Sequence, residues 1–256
     1  MTPLPQAFLT APIAHRAYHG AGRPENSMAA VRAAIDGGYG IEIDIQPSAD
    51  GVPMVFHDYG LDRLTGEAGP VSGRRARALQ QITLLGGEET IPTLDAVLEE
   101  VSGRVPLLIE IKDQDGAMGM DVGPLERAVA AVLSGYDGPV AVMSFNPHAI
   151  AEIAEAAPDI PRGLTTCAYE PEHWPTLHGP VREVLRAIPD FDRLGASFIS
   201  HRWSDLARPR VAELRSAGFA IFCWTVRSAR EEAIARSVAH NITFEGYPAR
   251  HPAPDA

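Results

Sequence analysis

Cysteine, lysine and long apolar runs are all scarce in this 256-residue chain. Its two cysteines, Cys167 and Cys223, are too few for a disulfide framework and read as buried apolar thiols. No stretch approaches the roughly 20 apolar residues of a membrane-spanning helix, so stable membrane insertion is not expected. Met1 to Thr10 lack a basic segment and contain two prolines, unlike a secretory signal, and a cytoplasmic location is expected. Positive charge is in deficit: 22 Lys and Arg against 33 Asp and Glu leave a net −11. That balance repels phosphate backbones and anionic membrane surfaces, so nucleic acid is not an expected partner. An anionic small substrate would need a local basic cluster or a bound metal. What remains is an ordinary globular composition, 45% hydrophobic and 21% charged, with 23 Gly and 22 Pro, short of a low-complexity chain.

There is no short repeat, charge block or Pro/Ser linker, and a chain of this length suits one α/β barrel. Short apolar runs alternate with helical patterns. The predicted strands are Pro12–His15, Gly40–Ile45, Val105–Ile111, Val140–Phe145, Ile160–Thr165, Ala196–Ser200, Phe219–Val226 and Asn241–Phe244. Apolar residues recur at helical spacing in Met28–Ile35, Leu94–Val101, Leu125–Leu133, Ala149–Ala156, Val181–Ile188, Val211–Ala217 and Ala229–Val238. Near-continuous Val/Ile/Leu strands between helices imply a parallel sheet covered on both faces. Eight strands are the number that a closed (β/α)8 TIM barrel of one domain needs; an open doubly wound sheet is the rival. An extra strand, Val52–Phe56, follows the Asp50-Gly51 turn signal and suggests a hairpin. Residues 59–92, Gly- and Arg-rich, form an insertion after the second strand. Residues 249–256, with two prolines, are too few for a full final helix, which leaves that corner open or covered by residues 1–11.

Chemistry concentrates at strand ends. In Gly40-Ile-Glu-Ile-Asp-Ile45, Glu42 and Asp44 share a face because strand side chains alternate. Two carboxylates projecting together into a barrel mouth need a cation, and oxygen-only ligands suit Mg2+ or Ca2+. Glu110 and Lys112 repeat the spacing at the end of an apolar run. Lys112 is the only lysine; the other 21 cationic residues are arginine, which suggests that a compact ammonium is required there. A third carboxylate for the metal and a cation for a phosphate fit that pair. His15-Arg16 close the first strand and His57-Asp58 close the hairpin strand, at the end where a parallel barrel builds its active site. Two imidazoles across a cleft can act as acid and base, and Arg16 offers a planar fork for phosphate. Asn26 or Ser27 reads as the N-cap of the helix at Met28. Asp58, Asp62 and Arg63 read as braces of the insertion, His201-Arg202-Trp203 as a surface loop, and Trp224 as core or pocket wall. His173, His178, His240 and His251 have no partner at metal-ligand spacing.

His15-Arg16, Pro24-Glu25-Asn26-Ser27, Glu42-x-Asp44, His57-Asp58 and Glu110-x-Lys112, in this order and spacing, resemble the glycerophosphodiester phosphodiesterase family. The likeness is dense over residues 14–65 and 106–112 and continues through Ser144-Phe145 and Cys223-Trp224-Thr225. It implies a (β/α)8 barrel with an insertion after the second strand. It also implies a metal-dependent hydrolase that cuts a small-molecule glycerophosphodiester into sn-glycerol 3-phosphate and an alcohol. Carried over by position, Glu42, Asp44 and Glu110 would hold one divalent cation, Mg2+ or Ca2+. His15 and His57 would be acid and base, Arg16 and Lys112 would steady the phosphate, and Trp224 would line the pocket. The substrate's free hydroxyl would attack first, giving a cyclic phosphate that water opens. Two departures stand out. Ala17 and a longer loop with His19 follow His15-Arg16, where the family usually has Gly. Glu245 stands near the family's Thr-Asp-x-Pro ending. The competing expectations are a phospholipase-D-like lyase on sphingomyelin or lysolipids, which calls for an exposed apolar rim and usually secretion with disulfides, and a catalytically silent phosphate-ester-binding barrel.

Overall fold

A computed structural model describes residues 2–252 and shows nine strands: β1 (Ile13–Ala14), β2 (Gly40–Pro47), β3 (Pro53–Val55), β4 (Leu107–Ile111), β5 (Val140–Ser144), β6 (Arg162–Thr166), β7 (Phe198–Arg202), β8 (Ala220–Val226) and β9 (Asn241–Phe244). Eight of them pair in parallel around a ring. β1 bonds both β9 and β2, which closes the barrel and excludes the open sheet. β3 lies outside the ring, antiparallel to β2, as the Asp50-Gly51 turn implied. The chain is a TIM barrel. Its outward face carries Ile41, Ile43, Ile45, Leu107, Ile109 and Ile111, all buried against the helices, which explains why the strands read as continuous apolar runs.

Helices Met28–Asp36, Leu94–Val101, Pro124–Leu133, Pro147–Ala156, Gly179–Ala187, Pro209–Ser216 and Ala229–Ala235 cover the strands. Their starts are written in the sequence. The side chains of Ser27, Thr93, Asn146 and Ser228 accept backbone N–H groups of Ala30, Ala96, His148 and Glu231, and proline occupies the first turn of four of the helices. The stretch between β3 and the helix at Leu94 packs on its own small core of Met54, Phe56, Leu61, Leu64, Val71, Leu79, Leu84 and Ile91. That core anchors the inserted segment against the hairpin beside β2.

Inside the barrel, the N-terminal ends of the strands are apolar and the C-terminal ends polar. Phe198 and Phe222 meet at 5.0 Å between ring centroids, with Ile13, Leu108, Ala141 and Met143 around them. Gly163 on β6 is there for Phe198: a Cβ would stand 2.5 Å from that ring. The short helix Ala7–Thr10 caps this floor. Its Phe8 is fully buried against Phe222, and Asn241 donates to the carbonyls of Phe8 and Ala11 at 2.7 and 2.6 Å.

Two expectations change. β7 continues to Arg202, so His201 is not in a surface loop. It is fully buried, because Thr166 Oγ1 at 2.8 Å and Asp205 Oδ2 at 3.2 Å satisfy both ring nitrogens. After β9 no helix forms through residue 252, but the corner is neither open nor covered by the N-terminal segment. Ala249 accepts the Tyr39 hydroxyl at 2.9 Å and His251 stacks on the Tyr39 ring at 4.9 Å. Residues 253–256, also part of that expectation, lie outside the described residues.

Phe8→Ala would remove one of the three phenylalanine side chains of the floor and leave a cavity. A loss of about 3–5 kcal/mol in unfolding free energy is expected, read from the urea midpoint. A loss below about 1 kcal/mol would mean that the floor is not closed by this helix.

Candidate active site

The two-residue period of β2 and β4 sends Glu42, Asp44 and Glu110 into the barrel, and the parallel register sets Asp44 directly beside Glu110. One oxygen from each lies within 4.8 Å of the others, and all three residues are buried. Lys112, two residues past Glu110 on the same face, places Nζ 2.7 Å from Asp44 Oδ1 and bonds the Glu110 carboxylate. Arg16 arrives from the loop after β1. Its N–H donates to Glu42 Oε2 at 2.8 Å, and its Nε is 3.5 Å from Asp44 Oδ2. Asn26 donates to the same Asp44 oxygen at 2.8 Å. Ser27 is therefore the N-cap of the following helix, and Asn26 is a positioning residue.

This loop is wound tightly to make those contacts. Arg16, Ala17 and Asn26 have φ of 51°, 62° and 57°, a left-handed region that costs a non-glycine residue about 1–2 kcal/mol. The conformation is held by bonds from Ala17 N–H to Glu42 O at 2.8 Å and from Asn26 N–H to Arg16 O at 2.9 Å. A glycine at position 17 would adopt this conformation without strain, and alanine adopts it with a small side chain.

The charges do not balance. Three buried carboxylates face two cations, and Arg16 is also shared with Glu25 at 2.8 Å. Burial, then Asp44 and Glu110, push Glu42 well above the ordinary carboxylate range. Against the cost of burial, Lys112, His57 and Arg16 hold Asp44 far below it. Burial works against the Lys112 ammonium, but Asp44 and Glu110 outweigh it and raise its pKa. An excess of converging carboxylate oxygens, with one carboxylate pushed toward its neutral form, is the chemistry of a site for a hard divalent cation. The residues present fit Mg2+ or Ca2+.

Each histidine has a carboxylate on Nδ1. The β2–β3 hairpin carries His57 to the cavity, where Gln46 donates to its carbonyl at 3.2 Å. Asp58 Oδ1 is 2.6 Å from its Nδ1, and Arg63 clamps Asp58 at 2.6 Å and Glu25 at 2.7 Å. Asp58 and Arg63 thus orient a histidine as well as bracing the insertion. Across the cavity, His15 Nδ1 is 2.5 Å from Glu245 Oε2, and Arg227 holds the other Glu245 oxygen at 2.7 Å. With Nδ1–H donated to a carboxylate, Nε2 of each ring is left free to accept a hydrogen bond. Burial lowers the pKa of His15, while Glu245, despite some desolvation, is held ionised by His15, His19 and Arg227.

All five polar groups predicted to act on substrate or metal from β1, β3 and β4, together with Glu42, line a cavity of about 170 Å³: His15, Arg16, Glu42, His57, Glu110 and Lys112, with Trp224 on its wall. Trp224 donates Nε1–H to Ser200 O at 2.9 Å, which fixes the indole. A second cavity of about 440 Å³ adjoins it, sharing His57, Glu110, Lys112 and Phe145 and walled by Tyr59, Met118 and Trp174. Phe145 lies 5.0 Å from Trp174 and 5.5 Å from Trp224 between ring centroids. Glu25 and Asn26 stood in the sequence only as part of the Pro24–Ser27 motif and without a role at the site, and Met118 and Trp174 were not visible as site residues: they come from loops whose approach to the mouth depends on the closed barrel. Cys167 and Cys223 are free and buried, and burial pushes their thiols up to about 11 and about 12.

Over residues 15–241 the sequence matches the glycerophosphoryl diester phosphodiesterase family. A glycerophosphodiester phosphodiesterase of Caldanaerobacter subterraneus subsp. tengcongensis is 31% identical over 227 residues, 86% of each chain. An Oleispira antarctica phosphodiesterase, solved in complex with the product sn-glycerol-3-phosphate, is similar in fold with a TM-score of 0.78 and 26% identity, over 94% of this chain and 95% of that one. A glycerophosphodiester phosphodiesterase from Agrobacterium tumefaciens matches with a TM-score of 0.65 and 26% identity over 97% of both chains. No helix among the described residues is long and apolar enough to cross a membrane.

Burial lowers the pKa of His201 below its ordinary 6.5, so the unfolded chain binds this proton first. Stability is then complete above that value and declines as pH falls through it. Urea midpoints should drop between about pH 7.5 and about pH 5.5, and His201→Asn should flatten the slope. An unchanged slope would assign the acid sensitivity to other groups.

Proposed function

The chain belongs to the glycerophosphoryl diester phosphodiesterase family, a phosphoric diester hydrolase, and we propose that it hydrolyses glycerophosphodiesters to sn-glycerol 3-phosphate and a free alcohol with His15 and His57 as base and acid. The observation that carries this reading is the gathering of three mutually close buried carboxylates, Glu42, Asp44 and Glu110, with two cations and two carboxylate-backed imidazoles around one cavity that all of them but Asp44 line. A phosphate-binding barrel without turnover has no use for the imidazole pair.

Arg16 and Lys112 bind and orient the phosphate, and both stay charged beside the carboxylates. A divalent cation held by Glu42, Asp44 and Glu110 would supply polarisation of a phosphoryl oxygen and stabilisation of the charge that develops on it. The histidines divide by position. His15 borders the inner cavity only, whereas His57 borders both. The glycerol moiety in the inner cavity then has its hydroxyl against His15, which burial keeps neutral and able to accept a proton at Nε2. As that oxygen bonds phosphorus, the bond to the departing alcohol breaks, and His57 delivers a proton to its oxygen at the mouth of the outer cavity. Asp58 stabilises the imidazolium before transfer. The cyclic phosphate is opened by water with the proton roles reversed, which yields glycerol 3-phosphate.

The outer cavity would take the departing alcohol. Its wall of Met118, Phe145, Trp174 and Tyr59 favours an alcohol with a hydrocarbon or aromatic part. The same wall supplies the apolar rim that the lyase reading calls for, and the products separate the two: open glycerol 3-phosphate for the hydrolase, a cyclic phosphate for the lyase.

His57→Ala should lower kcat about 10²–10⁴-fold with little change in KM, and chelation should abolish turnover until Mg2+ or Ca2+ is restored. A protein replete with metal that released no glycerol 3-phosphate from a panel of diesters would refute the assignment. Trp174→Ala should raise KM about tenfold for a diester with a bulky apolar alcohol and leave that for glycerophosphoethanolamine nearly unchanged. Equal effects on both would remove the alcohol from this wall.

A further inference from the structure

We propose that His15, His19 and Glu245 form a second metal site, selective for a borderline ion of the Zn2+ class, whose occupation shuts off the enzyme. The three residues come from separate places, the ends of β1 and β9 and the loop between Tyr18 and Arg23, yet one donor atom of each lies within 4.8 Å of the others. Glu245 Oε2 is the shared centre, 2.5 Å from His15 Nδ1 and 3.6 Å from His19 Nε2. Zinc bonds of about 2.0 Å in a tetrahedron set neighbouring donors roughly 3.3 Å apart, a separation these two distances bracket. His19 Nε2 is buried and makes no hydrogen bond, so a ring nitrogen is already turned toward the cluster without a partner. Arg227 Nε on Glu245 Oε1 at 2.7 Å turns the other oxygen toward the imidazoles, the outer support that metal-binding carboxylates require.

Donor chemistry separates this cluster from the carboxylate site. Glu42, Asp44 and Glu110 offer oxygen alone, which suits hard ions that hold several waters. Two imidazole nitrogens and one carboxylate suit Zn2+ or Co2+ with water as the fourth ligand. The other histidine has no such set: Asp58 is bound by Arg63 on both its oxygens, at 2.6 and 3.0 Å. An ion reaches the cluster through the inner cavity that His15 borders. On binding, it takes the Nδ1 lone pair of His15 and breaks the His15–Glu245 hydrogen bond, and the single ring proton moves through solvent from Nδ1 to Nε2. With Nε2 protonated, His15 cannot accept a proton from the attacking hydroxyl. This inhibitory consequence rests on the role of His15 proposed above; the metal site itself does not.

The test uses the full chain in excess Mg2+, with Zn2+ for inhibition and Co2+ as the spectroscopic probe. The wild type should retain one Zn2+ against Mg2+, lose its hydrolysis as that ion binds, and with Co2+ show the intense visible absorption of a tetrahedral site. His19→Ala and His19→Gln should hydrolyse diesters as the wild type does in Mg2+ alone, need at least about tenfold more Zn2+ for inhibition, and lack the absorption. A cobalt spectrum unchanged in both variants, or Zn2+ displaced by Mg2+ in simple competition, would overturn the proposal by placing the ion on the carboxylates. The absorption decides the site whether or not any diester is turned over, so failure of the activity assignment and failure of the metal site are separable.

Discussion

Mutual repulsion among Glu42, Asp44 and Glu110 is the constraint around which the mouth of the barrel is organised. Adjacent parallel strands in fixed register bring the three carboxylates together, and burial removes the water that would otherwise screen them. Lys112 from β4 and Arg16 from the first loop partly offset the charge. The remaining excess of negative charge gives the site the character of one that could hold a cation. The left-handed backbone at Arg16, Ala17 and Asn26 follows from the same need, because an extended loop would not turn its N–H groups and the Asn26 amide toward Glu42 and Asp44.

Stability and chemistry occupy opposite ends of the barrel. The floor is aromatic and aliphatic, closed by Phe8. The mouth is acidic and ordered by ion pairs, and it rests on loops that the floor does not constrain. Each imidazole is held by a carboxylate that is itself held by an arginine: His57 by Asp58 and Arg63, His15 by Glu245 and Arg227. Such chains fix both tautomer and ring orientation. The aromatic wall beside them and the cations Arg16 and Lys112 give a net-negative protein an apolar and a basic surface at one mouth.

The two histidine–carboxylate pairs are not equivalent. Asp58 is saturated by Arg63, whereas Glu245 sits between two imidazoles, one of which has no hydrogen bond at its inner nitrogen. The residues that create this asymmetry, His19 and Glu245, lie outside the carboxylate triad.

Alternation of strand and helix, the paired carboxylates at two-residue spacing, the solitary lysine and the histidines at strand ends were legible because each depends on local periodicity and on which end of a parallel strand bears loops. Element boundaries followed to within a few residues for the same reason, and β7 ran past Ser200 because Thr166 and Asp205 satisfy a buried histidine that reads as exposed in isolation. Tertiary structure alone decided the rest. Asn26 on Asp44, Glu245 on His15, Trp174 at the outer cavity and Phe8 in the floor are contacts between segments distant in the chain. No spacing encodes them, because they arise only when β1 bonds both β2 and β9 and the ring closes.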